Sequence, residues 1–167
     1  MVHARALLQN PMLASTPAGV VSYVAADLRD VTTVLAGSAR TLDLKRPVAL
    51  ILLGVLGHID GHGAARSITS QLMAALPSGS YLTIADGAAG SGPVEGAQQR
   101  YNSAGPVPYH LRRPDQLASF FDGMDLIEPG VVPCPQWKTD VPGAHGAPGA
   151  DAPPDEAPVY CGVARKR

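Results

Sequence analysis

The sequence predicts an α/β protein built on parallel strands. Three observations carry that reading. Residues 48–56 (VALILLGVL) are a continuous apolar run without alternation, the pattern of a strand buried on both faces. Residues 64–76 place Ile68, Leu72 and Ala75/Leu76 at helical spacing, and Pro77 and Gly79 end that helix. Residues 80–86 (SYLTIAD) alternate loosely and read as a second strand. Strand, helix and strand with links of a few residues make a βαβ unit. Such crossovers are right-handed in nearly all cases, so the two strands should lie parallel.

The remaining elements follow in order. Residues 1–8 favour helix without a cap before them, and Asn10-Pro11 ends it. Val20, Val21, Tyr23 and Val24 read as a strand over 20–25. Asp30 caps a helix over 31–39, with Val31, Val34 and Leu35 on one face. Residues 87–92 (GAAGSG) are a flexible loop, and 93–102 form a short helix with Val94, Ala97 and Tyr101 inward. Pro114 opens a helix through Phe121, with Leu117, Phe120 and Phe121 facing the core. Residues 124–132 are strand-like but broken at Pro129-Gly130. Residues 139–158 hold five Pro, three Gly and five Ala, and read as a flexible loop before a last strand over 159–164.

Composition narrows the function. The 167 residues suit one domain, and 46% apolar content supports a core. Thirteen basic against fourteen acidic residues leave a net charge of −1, which argues against a protein held to nucleic acid by phosphate contacts. Nine apolar residues are too few to span a bilayer, and the first ten residues lack the pattern of a signal peptide. A cytoplasmic location without nucleic-acid or membrane partners is therefore expected. Two cysteines, Cys134 and Cys161, make no disulfide framework, and free thiols are the expectation.

Four blocks then resemble a known family. VVSYVAADLRD, LDLKRPVALILLGVLGHI, QLMAALPSGSYLTIADG and PYHLRRPDQLASFFDGMDLIEPGVV, in that order and spacing, are similar to a bacterial S-adenosylmethionine-dependent methyltransferase family, and YCGVARK resembles its last strand. The resemblance implies a Rossmann-like sheet of order 3-2-1-4-5-7-6. By position, 20–25 is strand 3, 48–54 strand 4, 80–85 strand 5, 126–132 strand 6 and 159–164 strand 7. Strand 1 with its Gly-rich turn and strand 2 with the ribose-binding acid would lie before Met1, so the chain reads as one N-terminally truncated methyltransferase domain. The expected sheet is 4-5-7-6, with strand 3 displaced or paired directly to strand 4. Strand 4 would then be an apolar open edge, a route to self-association.

The resemblance also implies S-adenosyl-L-methionine as cofactor, with binding weakened or lost in this chain, and a methyl acceptor of unknown identity. Asp27 would accept from the adenine amino group and Leu28 would offer its N–H to the ring. The alternative role for Asp27 or Asp30 is capping the next helix. Gly54, Val55 and Leu56 would flank the sulfonium at the carboxyl end of strand 4. His58-Ile59-Asp60-Gly61-His62 has some metal-ligand character, but no fourth ligand is evident, and a loop at the pocket rim is the better reading. His58 is the one candidate general base. Asp86 would bind substrate or begin a loop, Tyr101, Tyr109 and His110 lie where recognition elements insert, and Arg112-Arg113 are expected to be solvated. The rival to an enzyme is a non-enzymatic remnant or interaction module stabilised by a partner chain.

Overall fold

The structure is a computed structural model, and it describes residues 20–90, 92–137 and 159–167. The helix expected over 1–8 and the loop expected over 139–158 lie outside the described residues. Asp30 caps α1 (Val31–Ser38): its carboxylate accepts from the Thr33 N–H at 3.0 Å and the Thr33 hydroxyl at 2.6 Å. β1 (Ala49–Leu53), α2 (His62–Ala74) and β2 (Tyr81–Gly87) form the βαβ unit, with Ala49 opposite Tyr81 and Leu53 opposite Ala85 in parallel register. α3 (Gly92–Ala104) and α4 (Pro114–Ala118) follow, and a 3-10 turn, Ser119–Phe121, extends α4. The strand-like stretch after it is interrupted, as its Pro-Gly break predicts, into β3 (Asp125–Leu126) and β4 (Val132–Pro133). Both pair antiparallel with β5 (Val159–Arg165), which itself runs antiparallel to β2. The sheet is mixed, of order β1-β2-β5-β3 with β4 also on β5.

Period two sorts the strands into faces. Leu52, Leu82, Ile84 and Ala164 point to one face and are buried against Ile68, Leu72 and Met73 of α2 and against Phe120 and Phe121. On the other face Ile51 is 56% and Leu53 60% exposed. Among the described residues β1 is the outer strand, so its free edge and this open face adjoin.

The expected strand over 20–25 is not formed. Val20, Val21 and Tyr23 have strand-forming side chains, but a strand exists only where its N–H and C=O groups meet a partner ladder. No described strand lies beside this segment, and it does not pair with β1, so of the two alternatives above, displacement or direct pairing, the direct pairing is corrected. Val24 instead lies against Gly37 of α1, where a Cβ would stand 2.4 Å from its Cγ1.

One cation ties the end of the sheet to the crossover helix. At the carboxyl end of α2, Lys166 Nζ donates to the carbonyls of Met73 (2.8 Å), Ala74 (3.3 Å) and Leu76 (2.6 Å), of which Met73 also accepts from the Leu76 N–H at 3.1 Å. Lys166→Met is expected to lower unfolding free energy by about 1–2 kcal/mol, read from the urea midpoint at unchanged slope.

Candidate functional site

β1 and β2 end together at a cavity of about 710 Å³. Open α/β sheets bind ligands there, beyond the carboxyl ends of their strands. Leu53, Gly54 and His58 line it from the β1 side, and Ala85, Asp86 and Gly87 from the β2 side. α3 covers it with Val94, Ala97, Gln98 and Tyr101, and Tyr109, Leu111 and Val159 complete the wall. Val94, Ala97 and Tyr101 therefore face the cavity; the helix that carries them has no buried residue.

The loop after β1 is gripped from two sides. Asp86, only 2% exposed, accepts from the Gly57 N–H through Oδ2 at 3.1 Å. Its Oδ1 accepts from the Gly87 N–H at 2.9 Å and from the Tyr109 hydroxyl. Arg112 donates from Nη1 to the Leu56 carbonyl at 2.8 Å and from Nη2 to the Ile59 carbonyl at 2.9 Å. The expectation that Arg112 is solvated is thus corrected: it is 4% exposed, with its guanidinium 5.7 Å from the Phe120 ring centre. A guanidinium satisfies several loop carbonyls at once, and that is what holds it inside. Arg113, its neighbour, is exposed and pairs with Asp115 at 2.9 Å. Burial pulls the Arg112 pKa below its ordinary value, while Asp86 and Tyr109 oppose that shift. Burial, reinforced by the hydrogen bond to Asp86, pushes the Tyr109 phenol well above the usual tyrosine range.

Tyr109 also fixes the cover of the cavity. Its carbonyl accepts from Gln98 Nε2 (2.6 Å) and Asn102 Nδ2 (3.0 Å), and its N–H donates to Asn102 Oδ1 (2.8 Å). Its ring lies so close to Gly57 that a Cβ there would stand 2.3 Å from it, so only glycine fits.

The expected site residues fall into two groups. Asp27 is exposed and accepts from the Arg29 N–H (2.8 Å) and guanidinium (3.0 Å), and the backbone bond foremost holds its pKa below the ordinary carboxylate value. Arg29 also donates to the His58 carbonyl at 2.8 Å, so it links Asp27 to the loop after β1. Leu28 packs on the core, and Leu56 is fully buried with its carbonyl taken by Arg112. Gly54 lines the cavity, while Val55 is more than a third exposed beside it.

His58 lies in the cavity wall with Nδ1 3.1 Å from the Pro108 carbonyl. A carbonyl only accepts, so Nδ1 carries a proton, and in the neutral ring Nε2 holds the lone pair. Nε2 has no hydrogen bond among the described residues. The polar groups around it diverge: His62 Nε2 meets Ser119 Oγ at 3.0 Å, and Asp60 meets His110 at 3.7 Å. Burial, with Arg112 and Arg66 nearby, lowers the His62 pKa. Among the described residues no three His, Cys, Asp or Glu side chains converge. Cys134 and Cys161 are free thiols.

Sequence reasoning missed the two buried charges. For Asp86 a signal existed, since period two sets it on the same face as Leu82 and Ile84. For Arg112 there was none, because its burial depends on carbonyls more than fifty residues away.

A βαβ unit, an antiparallel strand within the sheet and a cavity at the carboxyl strand ends define a Rossmann-like α/β protein. The chain belongs to the S-adenosyl methyltransferase family, whose model matches residues 1–167. A DUF574 family protein from Streptomyces avermitilis MA-4680 is 34% identical, with a TM-score of 0.82 over 99% of this chain and 62% of its own. A candidate methyltransferase from Thermobifida fusca YX is 27% identical, with a TM-score of 0.78 over 99% of this chain and 59% of its own. The chain thus spans about three fifths of these two structures. TnmH, 14% identical at a TM-score of 0.51, shares the fold. No curated protein matched. Among the described residues no helix is long and apolar enough to cross a membrane.

Asp86→Ala removes the acceptor of three donors and leaves Arg112 without that compensating charge. A loss of about 3 kcal/mol in urea unfolding is expected, against about 1 kcal/mol for Tyr109→Phe.

Proposed function

We propose that the chain takes part in methyl transfer from S-adenosylmethionine to a small acceptor held in the cavity. The observation that carries this is the bare backbone at the carboxyl end of β1, on the cavity wall of a chain of this family. Gly54 turns there with φ +64°, and a Cβ built on it meets nothing within 4 Å, so a ligand can approach the main chain. The residues fit the cofactor on that side. Gly54, Val55 and Leu56 would flank the sulfonium, and Arg112 holds that stretch in one conformation through the Leu56 carbonyl. Asp27 would accept from the adenine amino group, and Leu28 would donate its N–H to the ring. In this reading β1, β2 and β5 correspond to strands 4, 5 and 7 of the family sheet, and β3 with β4 to strand 6.

When bound, the cofactor supplies an electrophilic methyl group on a sulfonium that leaves as a neutral thioether. The chain's own residues do the rest by placing the reactants. His58 takes the proton of an acceptor hydroxyl on Nε2. Pro108 orients its ring and Arg29 its backbone. Tyr109 and α3 flank the acceptor.

The test is two-dimensional NMR of the chain titrated with S-adenosylhomocysteine, a readout that registers weak binding. The amides of Leu28, Gly54 and Val55 are expected to shift and saturate. Asp27→Ala should weaken binding by about tenfold, as loss of a charged hydrogen bond does, while His58→Ala leaves it unchanged. Unmoved amides at Gly54 and Val55 exclude the reading.

A second reading is an interaction module whose β1 edge is covered by another chain, with exposed Ile51 and Leu53 in its favour. Light scattering across a concentration series decides it for self-association. A mass rising toward the dimer supports the reading, and a constant monomer mass counts against it.

A further inference from the structure

We infer that the acceptor is a neutral, flat aromatic molecule bearing a hydroxyl group. The inference deepens the methyl-transfer reading and rests on it for what happens to the bound molecule; the binding itself does not need the cofactor. Its basis is the chemistry of the wall. At about 710 Å³ the cavity has the size of a small-molecule site, for which about 300–1,000 Å³ is typical. Leu53, Val94, Leu111 and Val159 give it apolar sides.

Charge excludes other classes. Among the described residues no Lys or Arg lines the cavity, so a phosphorylated or carboxylated acceptor finds no counter-charge in that wall. Among the described residues the one acid in the wall is Asp86, whose carboxylate already accepts from Gly57, Gly87 and Tyr109 and lies in the field of Arg112, which leaves it little to offer an ammonium group.

Ring geometry selects a flat partner. The Tyr109 ring stands nearly perpendicular to both His58 (84°, centroids 5.1 Å apart) and Tyr101 (84°, 6.5 Å). Together they form an angled aromatic corner, in which a planar guest stacks on one ring and meets another edge-on. The Tyr109 hydroxyl is already bonded to Asp86 and Gly87, so this residue offers its ring and not its polar end. Tyr101, half exposed, is the aromatic side chain that α3 adds to the wall. The acceptors that remain in the described wall are the side-chain oxygen of Gln98, whose Nε2 is held by Tyr109, and the Nε2 lone pair of the neutral His58 ring, and both call for a donor on the guest. A neutral aromatic hydroxyl supplies all three features.

The probe is 2-naphthol, titrated into the 167-residue chain without cofactor and followed by two-dimensional NMR. Saturable shifts are expected at Val94, Tyr101 and Leu111. 2-Naphthyl phosphate and the trimethyl(2-naphthyl)ammonium ion should each bind at least tenfold more weakly. Tyr101→Ala, on an exposed helix position that alanine suits, should weaken 2-naphthol by about tenfold at an unchanged Tm. Equal or tighter binding of either charged probe overturns the inference, as do 2-naphthol shifts confined to residues outside the cavity, no saturable shifts, or a Tyr101→Ala chain that binds as well as the parent. If 2-naphthol behaves as expected while S-adenosylhomocysteine leaves Gly54 and Val55 unmoved, the methyl-transfer reading falls and the cavity assignment stands. The opposite pair of results overturns this inference alone.

Discussion

Two buried opposite charges, Asp86 and Arg112, hold the loop that follows β1, and the cavity depends on that grip. The carboxylate takes a loop N–H at Gly57, and the guanidinium takes loop carbonyls at Leu56 and Ile59. A loop so close to the core must have its backbone polar groups satisfied, because each one left unpaired costs about 1–3 kcal/mol. Removing two charges from water is itself unfavourable. The arrangement persists because each charge meets several fixed dipoles and each lies in the field of the other.

That grip passes directly to the site. Asp86 reaches through the Tyr109 hydroxyl to the segment whose backbone staples α3, so the floor and the cover of the cavity share one carboxylate. Arg29 adds a third hold on the loop at the His58 carbonyl and joins Asp27 to the same network. The groups assigned to the adenine side, the sulfonium side and the acceptor side are therefore mechanically continuous. A substitution at Asp86 would be felt at all of them.

The sheet is asymmetric in a way that suits this arrangement. One face is packed on α2 and the Phe120–Phe121 pair, and Lys166 locks the last strand to that helix. The other face carries Ile51 and Leu53 outward and, at its carboxyl end, opens into the cavity. Both structural relatives are longer, with about two fifths of their length lying outside the match.

The elements with strong local signals were legible in the sequence. The apolar run of β1, the helical spacing of α2, Asp30 as a cap and Pro114 at the start of α4 all describe local physics, and each appears where it is expected within a residue or two. The sequence motifs also determined the family. Tertiary structure decided the rest, because its causes are not local. Residues 20–25 have the composition of a strand and form none, since a strand needs a neighbour that sequence composition does not supply. Arg112 stands beside the solvated Arg113 with the same residue type and the opposite fate, since only the folded chain brings the carbonyls of Leu56 and Ile59 to one of them. The lone pair on His58 Nε2 likewise exists only because Pro108, fifty residues on, occupies Nδ1. Propensity and periodicity are properties of short segments, whereas the burial of a charge and the tautomer of a histidine are properties of contacts between distant ones.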